Sequence, residues 1–174
     1  MNPAVSIRPA ELSDAADVQK YASDLRLHAT CNLPSPYPEG GAVFFLTGAL
    51  KAQAAGEKYL FAVIHSSEFA GLMGLNDFNS AEGTAELDYW IALPFWGRGI
   101  ATNAAALVIE HAFRNLGLKT LFSSILIRNP ASRRVVERNG FKQIGELVYD
   151  GPWPARFGGE RLARYHLQNS AKSQ

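Results

Sequence analysis

The segment LPFWGRGIATNAA constrains this chain more than any other, because it places two glycines between a strand and a helix. The residues ELDYWIAL before it are typical of a strand, and the alanine-rich residues after Gly99 favour a helix. The start of a helix directs several unpaired N–H groups outward and carries a partial positive charge. Gly97 and Gly99 allow positive φ and a close approach to a bulky anion. With Arg98 adding a cation, the segment predicts a phosphate-binding turn.

Three phosphate-binding designs use such a turn, and the residues around the glycines separate them. A P-loop requires Lys followed by Ser or Thr, and that pair does not follow here. A dinucleotide fingerprint requires a third glycine where Thr102 stands. The third design is a pyrophosphate loop of the pattern Gln/Arg-x-x-Gly-x-Gly/Ala, which WGRGIA matches at Gly99 and Ala101, with Trp96 at its first position. A tight turn without a ligand remains the alternative for two glycines taken alone.

Hydrophobic patterning predicts a mixed α/β fold in a single domain. Strand and helix periodicities follow each other in the order β-α-α-β-β-β-α-β-α-β-β, which gives one sheet flanked by helices. We expect residues 1–168 to form the domain and residues 169–174 to form a frayed tail. Three helices can be specified further. The first is predicted to run from the N-caps Ser13 and Asp14 to about His28.

The other two helices follow the glycine turn and the fifth strand. An apolar stripe at helical spacing predicts the buried face of the helix after the turn, namely Ala101, Ala105, Val108, Ala112 and Leu116. The segment NPASRRVVERNG predicts a short helix with Asn129 as its N-cap and Pro130 at its first position. Along the strand before the turn, alternation places Glu86, Asp88 and Trp90 on one face and Leu87, Tyr89 and Ile91 on the other.

Composition excludes several functional classes. The formal net charge is +1 over 174 residues, so no broad electrostatic surface for nucleic acid or anionic membranes is expected. A single cysteine, Cys31, excludes an intrachain disulfide and is interpreted as a structural thiol. The four histidines lack metal-ligand spacing, so no metal site is predicted. With no signal peptide and no apolar run of about 20 residues, we expect a cytoplasmic protein.

Two spaced motifs resemble one enzyme superfamily. LDYWIALPFWGRGIATNAA and RNPASRRVVERNGF are similar to segments of the GNAT N-acetyltransferases, in particular of the ribosomal-protein N-terminal acetyltransferase (RimJ/RimL-like) branch. The opening SIRPAELSDAADV and the segment LPSPYPEGGAVFFL also resemble that branch, so the similarity covers nearly the whole chain. The resemblance implies a mostly antiparallel mixed sheet of six to seven strands with about four helices.

The same resemblance implies acetyl-CoA as the co-substrate. The pantetheine arm would pair with the backbone around Trp90, Ile91 and Ala92, and Asn129 would contact the same arm. Asn129 has an ordinary structural alternative as a helix N-cap. The backbone of the glycine turn would hold the pyrophosphate, through Gly97, Arg98, Gly99, Ile100, Ala101 and Thr102.

Direct acetyl transfer requires a base, an oxyanion donor and a group that assists the departing thiolate. We predict that Glu86 deprotonates the amine and that Asp88 helps to hold it; an exposed strand face or acceptor-binding acids are the alternative. Many family members have a tyrosine as the general acid at the position of Val136. The branch instead has a serine at the position of Ser132, whose hydroxyl can donate a hydrogen bond to the thiolate. The structural alternative for Ser132 is a hydrogen bond to a neighbouring backbone group at the start of the helix. The oxyanion donor is predicted near Ile91, and Tyr149 and Tyr165 are further candidates for the acid.

The sequence leaves the amine acceptor open. The branch resemblance implies a protein or peptide N-terminal amine, and a small-molecule amine or amino acid is the alternative. A non-catalytic acyl-CoA-binding module is a third hypothesis, since the usual tyrosine and motif glutamine are absent. The irregular, aromatic segments LPSPYP and DGPWPARFGG are predicted to form the walls of the acceptor site. A homodimer is compatible with the sequence.

Overall fold

A computed structural model describes residues 5–170 and shows one seven-stranded sheet. In chain order the strands β1 to β7 span Val5–Pro9, Tyr59–His65, Glu68–Asn79, Thr84–Ile91, Thr120–Leu126, Lys142–Val148 and Arg161–Gln168. They lie in the order β1-β2-β3-β4-β5-β7-β6, and every neighbouring pair is antiparallel except β4 and β5. The predicted mixed α/β class with a mostly antiparallel sheet is confirmed. The end of the predicted tail, residues 171–174, lies outside the described residues.

Two pairs of helices cover opposite faces of this sheet. The helices α1 to α5 span Ala15–Ala22, Gly41–Ala54, Ile100–Arg114, Pro130–Arg138 and Pro154–Phe157. α1 packs on α2, and α3 packs on α4. On β4, Tyr89 contacts Ser132 of α4, whereas Trp90 packs on Phe69 beside Tyr21 of α1. Because consecutive strand residues point to opposite faces, the two helix pairs flank the sheet.

α3 packs on the sheet through the apolar stripe that its periodicity predicts. Ala105, Val108 and Ala112 are fully buried, whereas Ala101 and Leu116 at the ends of the stripe are only partly buried. The helix follows the glycine turn directly, so this packing fixes the position of the turn against the end of β4.

The first helix is shorter than the sequence predicts. α1 ends at Ala22, and a separate 3-10 turn covers Leu27–Ala29. The buried His28 ring places Nε2 2.7 Å from the Ala22 carbonyl oxygen and Nδ1 2.8 Å from the Ser35 hydroxyl. The imidazole therefore binds a carbonyl at the end of α1. The prediction of one helix to His28 was wrong, because local periodicity does not reveal this contact.

The parallel pair β4–β5 separates soon after it forms. The two strands are paired only from Thr84 to Glu86 on β4 and from Thr120 to Phe122 on β5. Beyond that point the Ser123 hydroxyl donates to the Leu87 carbonyl at 2.9 Å, while β5 continues to pair with β7. The second half of β4 therefore faces a gap in the sheet, and its backbone edge on that side is not paired with β5.

On its other edge, the end of β4 is held very close to β3. A Cβ atom added at Gly71 of β3 would overlap the carbonyl oxygen of Trp90 and lie 2.9 Å from Cα of Ile91. Both partners are backbone atoms that cannot move without disturbing the strand pairing. Gly71 is therefore required for the approach of β3 to the end of β4.

Gly71→Ala is expected to lower the free energy of unfolding by about 1–3 kcal/mol, because the added methyl group must push the strands apart. Gly48→Ala is the matched control, since Gly48 lies on the exposed face of α2 with open space around its Cα. That variant should be more stable than wild type by about 0.5–1 kcal/mol. Urea denaturation measures both, and a Gly71→Ala protein of wild-type stability would contradict the close approach.

Candidate active site

The gap between β4 and β5 opens into a cleft of about 1280 Å³. Its walls come from the end of β4, the glycine turn, the start of α4, and the two irregular segments before α2 and after β6. The predicted site residues line this cleft, with two exceptions. Ala92 is fully buried, and Arg98 is exposed outside the cleft wall. The structure therefore brings residues from separate elements together along one cleft.

The glycine turn has the backbone geometry of an anion-binding helix start. Gly97 and Gly99 have φ angles of 74° and 75°, in the left-handed region, and Gly99 is the N-cap of α3. No atom lies within 4 Å of the position that a Cβ would take at either glycine. A bulky anion can therefore approach the N–H groups at the start of α3 without meeting a side chain.

Trp96 occupies part of the β4 edge that was predicted to bind the pantetheine arm. Its indole Nε1 donates to the Ile91 carbonyl at 2.6 Å, and the Ala92 N–H donates to the Ala70 carbonyl at 2.8 Å. These two backbone groups are engaged within the protein. The Trp at the first motif position, where Gln or Arg was expected, thus has a structural role in holding the turn against β4.

Ser132 lies at the start of α4 and contacts a tyrosine that sequence reasoning left without a role. Asn129 accepts a hydrogen bond from the Ser132 N–H at 3.2 Å, so it is an N-cap of α4. The Ser132 hydroxyl lies 2.7 Å from the Tyr89 hydroxyl. Burial raises the pKa of Tyr89 to about 12, so the phenol keeps its proton at neutral pH. Alternation along β4 indicated its face but not its partner.

Glu86 is paired with a cation. Arg164 of β7 forms an ion pair with Glu86, donates to the Ser124 hydroxyl at 2.7 Å, and lies over the Phe122 ring at 4.5 Å. The guanidinium is thus held by three contacts and neutralises the Glu86 carboxylate. Sequence reasoning missed Arg164, and only the β5–β7 pairing, which brings together residues distant in sequence, could have revealed it.

Asp88 is in a different environment on the same face of β4. It lies opposite Gly74 of β3, where an added Cβ would approach its Oδ1 to 2.7 Å, and it is hydrogen-bonded to Asn76. Its accessible surface opens into the cleft. Burial between the surrounding walls raises the pKa of the Asp88 carboxyl to about 6. The Lys58 ammonium lowers this pKa, and the Glu86 charge raises it.

The remaining candidates divide between the cleft and the rest of the molecule. Tyr149 lines the cleft and donates to Asn32 at 2.9 Å, so it joins the segment after β6 to the segment before α2. Tyr165 is buried outside the cleft wall, with its hydroxyl donating to Glu137 at 2.8 Å. Burial raises the pKa of Cys31 to about 11, which makes its thiol a poor nucleophile.

The part of the chain that the structure describes contains neither a membrane-spanning helix nor a candidate metal site. Among residues 5–170, no helix has the length and hydrophobicity to cross a membrane. Within the same range, no group of three or more His, Cys, Asp or Glu side chains is arranged to hold a metal ion.

Curated relatives include acetyltransferases with different acceptors. A putative ribosomal N-acetyltransferase, YdaF of Bacillus subtilis, is 33% identical over 84 residues, which are 48% of this chain and 46% of the relative. Spermidine N(1)-acetyltransferase of Escherichia coli is 31% identical over 90 residues, which are 52% and 48% of the two chains. These alignments span about half the length of each relative.

Solved structures and a family model identify the fold. RimL, a ribosomal alpha-N-protein acetyltransferase in complex with coenzyme A, matches with a TM-score of 0.87 at 18% identity, covering 97% of this chain and 96% of that one. A Vibrio cholerae spermidine N-acetyltransferase with CoA and spermine matches at 0.81 and 20% identity, covering 95% and 96%. The model of the acetyltransferase (GNAT) domain matches residues 5–142. The chain therefore belongs to the GNAT acetyltransferase family, which confirms the predicted family.

Proposed function

We propose that this protein transfers the acetyl group of acetyl-CoA to a primary amine, with a protein or peptide N-terminal amine as the leading acceptor. The observation that carries the proposal is the glycine turn at the mouth of the β4–β5 gap. It joins an anion-binding helix start to an unpaired strand edge within one cleft. The cytoplasmic location and the homodimer stay predictions.

Acetyl-CoA would lie along the cleft with its pyrophosphate at the turn. The N–H groups from Gly97 to Thr102 would hold the phosphates, and Arg134 and Arg138 of α4 line the same cleft and add positive charge. Because the Ile91 carbonyl is engaged by Trp96, pairing with the pantetheine arm would fall to the edge of β4 before Ile91. The thioester would then lie between Asp88, which projects from one face of β4, and Ser132 of α4, whose hydroxyl contacts Tyr89 on the other face.

Asp88 is the better placed base for the amine. The acceptor must lose a proton before its nitrogen can attack the thioester carbonyl, and a carboxylate with a pKa near neutral suits this transfer. The sequence analysis assigned this role to Glu86 and the holding of the amine to Asp88. The ion pair of Glu86 with Arg164 favours Asp88 as the base instead. We therefore assign proton removal to Asp88 and positioning of the cleft wall to the Glu86–Arg164 pair.

Ser132 would donate a hydrogen bond to the departing thiolate, and Tyr89 would position it. With its pKa raised to about 12, Tyr89 keeps its proton and can donate a hydrogen bond to the hydroxyl oxygen of Ser132. That leaves the serine proton free to point towards the sulfur as the carbon–sulfur bond breaks. Tyr89 thus supplies a hydroxyl from β4, beside Ser132, in a chain that has Val136 where the family has its α4 tyrosine.

The names of the relatives support more than one acceptor. Both a ribosomal N-acetyltransferase and a spermidine N(1)-acetyltransferase are among them. A peptide α-amine has a pKa near ~8 and needs little help to become neutral, whereas an alkyl amine has a pKa near ~10.4. A base with a pKa of about 6, such as Asp88, suits the α-amine better. A small-molecule amine remains the second candidate.

Gly99→Val tests the phosphate site. The side chain would enter the open space at the start of α3, so the affinity for CoA should fall about tenfold or more. Gly40→Val is the matched control, because Gly40 is also a helix N-cap with a φ of 70° and open space around it, but precedes α2. Isothermal titration with CoA measures both. Equal affinities in the two folded variants would contradict binding at this turn.

The pH dependence of kcat/KM with a peptide acceptor tests the base. The α-amine gives the logarithmic profile a slope of one below about pH 8, and protonation of Asp88 should steepen it to two below about pH 6. Asp88→Asn should lower kcat/KM about 10²-fold at pH 7 and leave a slope of one. Glu86→Gln should retain the steeper limb. If Glu86→Gln abolishes that limb and Asp88→Asn keeps it, Glu86 is the base.

A double-mutant cycle tests the hydroxyl pair. Tyr89→Phe should lower kcat about tenfold with an unchanged KM for acetyl-CoA, because Ser132 loses its orientation. Ser132→Ala should lower kcat by up to ~10²-fold. The double variant should be no slower than Ser132→Ala, since Tyr89 acts only through the serine. Tyr165→Phe removes a hydroxyl outside the cleft and should leave kcat unchanged. Independent, multiplying losses would refute the positioning role.

A further inference from the structure

A second cavity of about 380 Å³ lies beside the cleft. It is bounded by α1, the proline-rich segment before α2, the first turns of α2, the end of β4 and the segment after β6. The side chains that form most of its wall are Val18, Leu33, Tyr37, Phe44, Phe45 and Trp153. Elements far apart in sequence thus enclose a space whose lining includes neither the glycine turn nor the start of α4.

Among residues 5–170, none of those that line this cavity is charged. Aliphatic and aromatic side chains dominate it, and its polar side-chain groups are uncharged: the amide of Asn32, the hydroxyl of Tyr37 and the indole N–H groups of Trp90 and Trp153. At its rim, the ring of Phe44 is 84% exposed, which leaves a large apolar surface in contact with water. The cavity is therefore suited to an uncharged, apolar group.

The cavity adjoins the cleft close to Asp88. Leu33, Phe45 and Trp90 line both spaces. Trp90 is two residues after Asp88 on the same face of β4, which corresponds to about 7 Å between their Cα atoms. An amine held at Asp88 would therefore have its neighbouring carbon at the entrance to the cavity. A substituent of the size of an isobutyl or benzyl group would reach inside.

We propose that the cavity binds the apolar side chain of the acceptor's first residue, so that the acceptor is an α-amine beside a branched aliphatic or aromatic side chain. This inference rests on the proposed acetyl transfer at Asp88 and adds the class of acceptor. The amine end meets a carboxylate, and the side-chain end meets only uncharged groups. The two ends of the site thus match the two ends of such an acceptor.

A polyamine does not match this arrangement. Its second ammonium would find no carboxylate in the cavity, where burial of an unpaired cation is costly. The small hydroxyl side chain of an N-terminal serine would leave most of the apolar wall uncovered. The cavity therefore favours leucine or phenylalanine at the acceptor's N-terminus over serine and over spermidine.

The test uses four peptides that differ only in their first residue, Phe, Leu, Ser or Asp, together with spermidine. Thiol release from acetyl-CoA gives kcat/KM for each. We expect the Phe and Leu peptides to exceed the Ser and Asp peptides and spermidine by about tenfold or more. A Ser peptide or spermidine that equals or exceeds the Phe peptide would overturn the inference while leaving acetyl transfer intact.

Two variants link the preference to the cavity. Phe44→Asp places a carboxylate at the rim of the cavity. It should reduce the ratio of kcat/KM for the Phe peptide to kcat/KM for the Ser peptide at least about threefold. Leu25→Asp adds the same charge at a residue that is 66% exposed and lines neither space, so its ratio should stay at the wild-type value. Equal ratios in the two variants would overturn the assignment of the preference to this cavity.

Binding without turnover separates the inference from the proposed function. Titration calorimetry of the Phe peptide into CoA-saturated wild-type and Phe44→Asp protein reports on the cavity alone. Weaker binding to the variant, with no transfer to any amine, would support the cavity and overturn the acetyl transfer. Equal binding to both proteins, or none to either, would overturn the cavity.

Discussion

β4 and β5 pair as parallel strands over only three residues each before they separate, and the site is built around that separation. The Ser123 hydroxyl bridges to the Leu87 carbonyl at the point where the ladder ends. Beyond it, backbone groups of β4 that would otherwise bind a neighbouring strand face a cleft. An extended ligand with amide groups can complete this edge. The gap in the sheet therefore creates the cleft, between helix pairs that pack on the two faces of the sheet.

The features that local sequence predicts are those whose signals lie within one turn or one cap. Gly97 and Gly99 adopt the positive φ that a strand-to-helix turn requires, and Asn129 caps α4 as its Asn-Pro pair indicates. The alternation along β4 placed Asp88 and Tyr89 on opposite faces before any partner was known. In each case the backbone conformation depends on the residue itself and its nearest neighbours.

The contacts that tune the site depend on residues far apart in sequence, and for that reason local patterns could not supply them. Arg164 reaches Glu86 only because β7 returns beside β5, and Tyr89 reaches Ser132 because α4 packs under the open end of β4. The register of β3 against β4 places Gly74 under Asp88. The His28 contact that ends α1 is of the same kind. Such pairings require the topology of the whole sheet.

The two carboxylates on one face of β4 differ because of this topology. If both Glu86 and Asp88 lay uncompensated in one cleft, each charge would oppose ionisation of the other. The ion pair with Arg164, itself held over the Phe122 ring, compensates Glu86 within the wall. Asp88 keeps its exposure to the cleft and a pKa of about 6, close to the range in which a carboxylate can both attract an ammonium group and accept its proton. Arg164 on a distant strand thus pairs with one of two neighbouring acids, whereas burial between the cleft walls raises the pKa of the other.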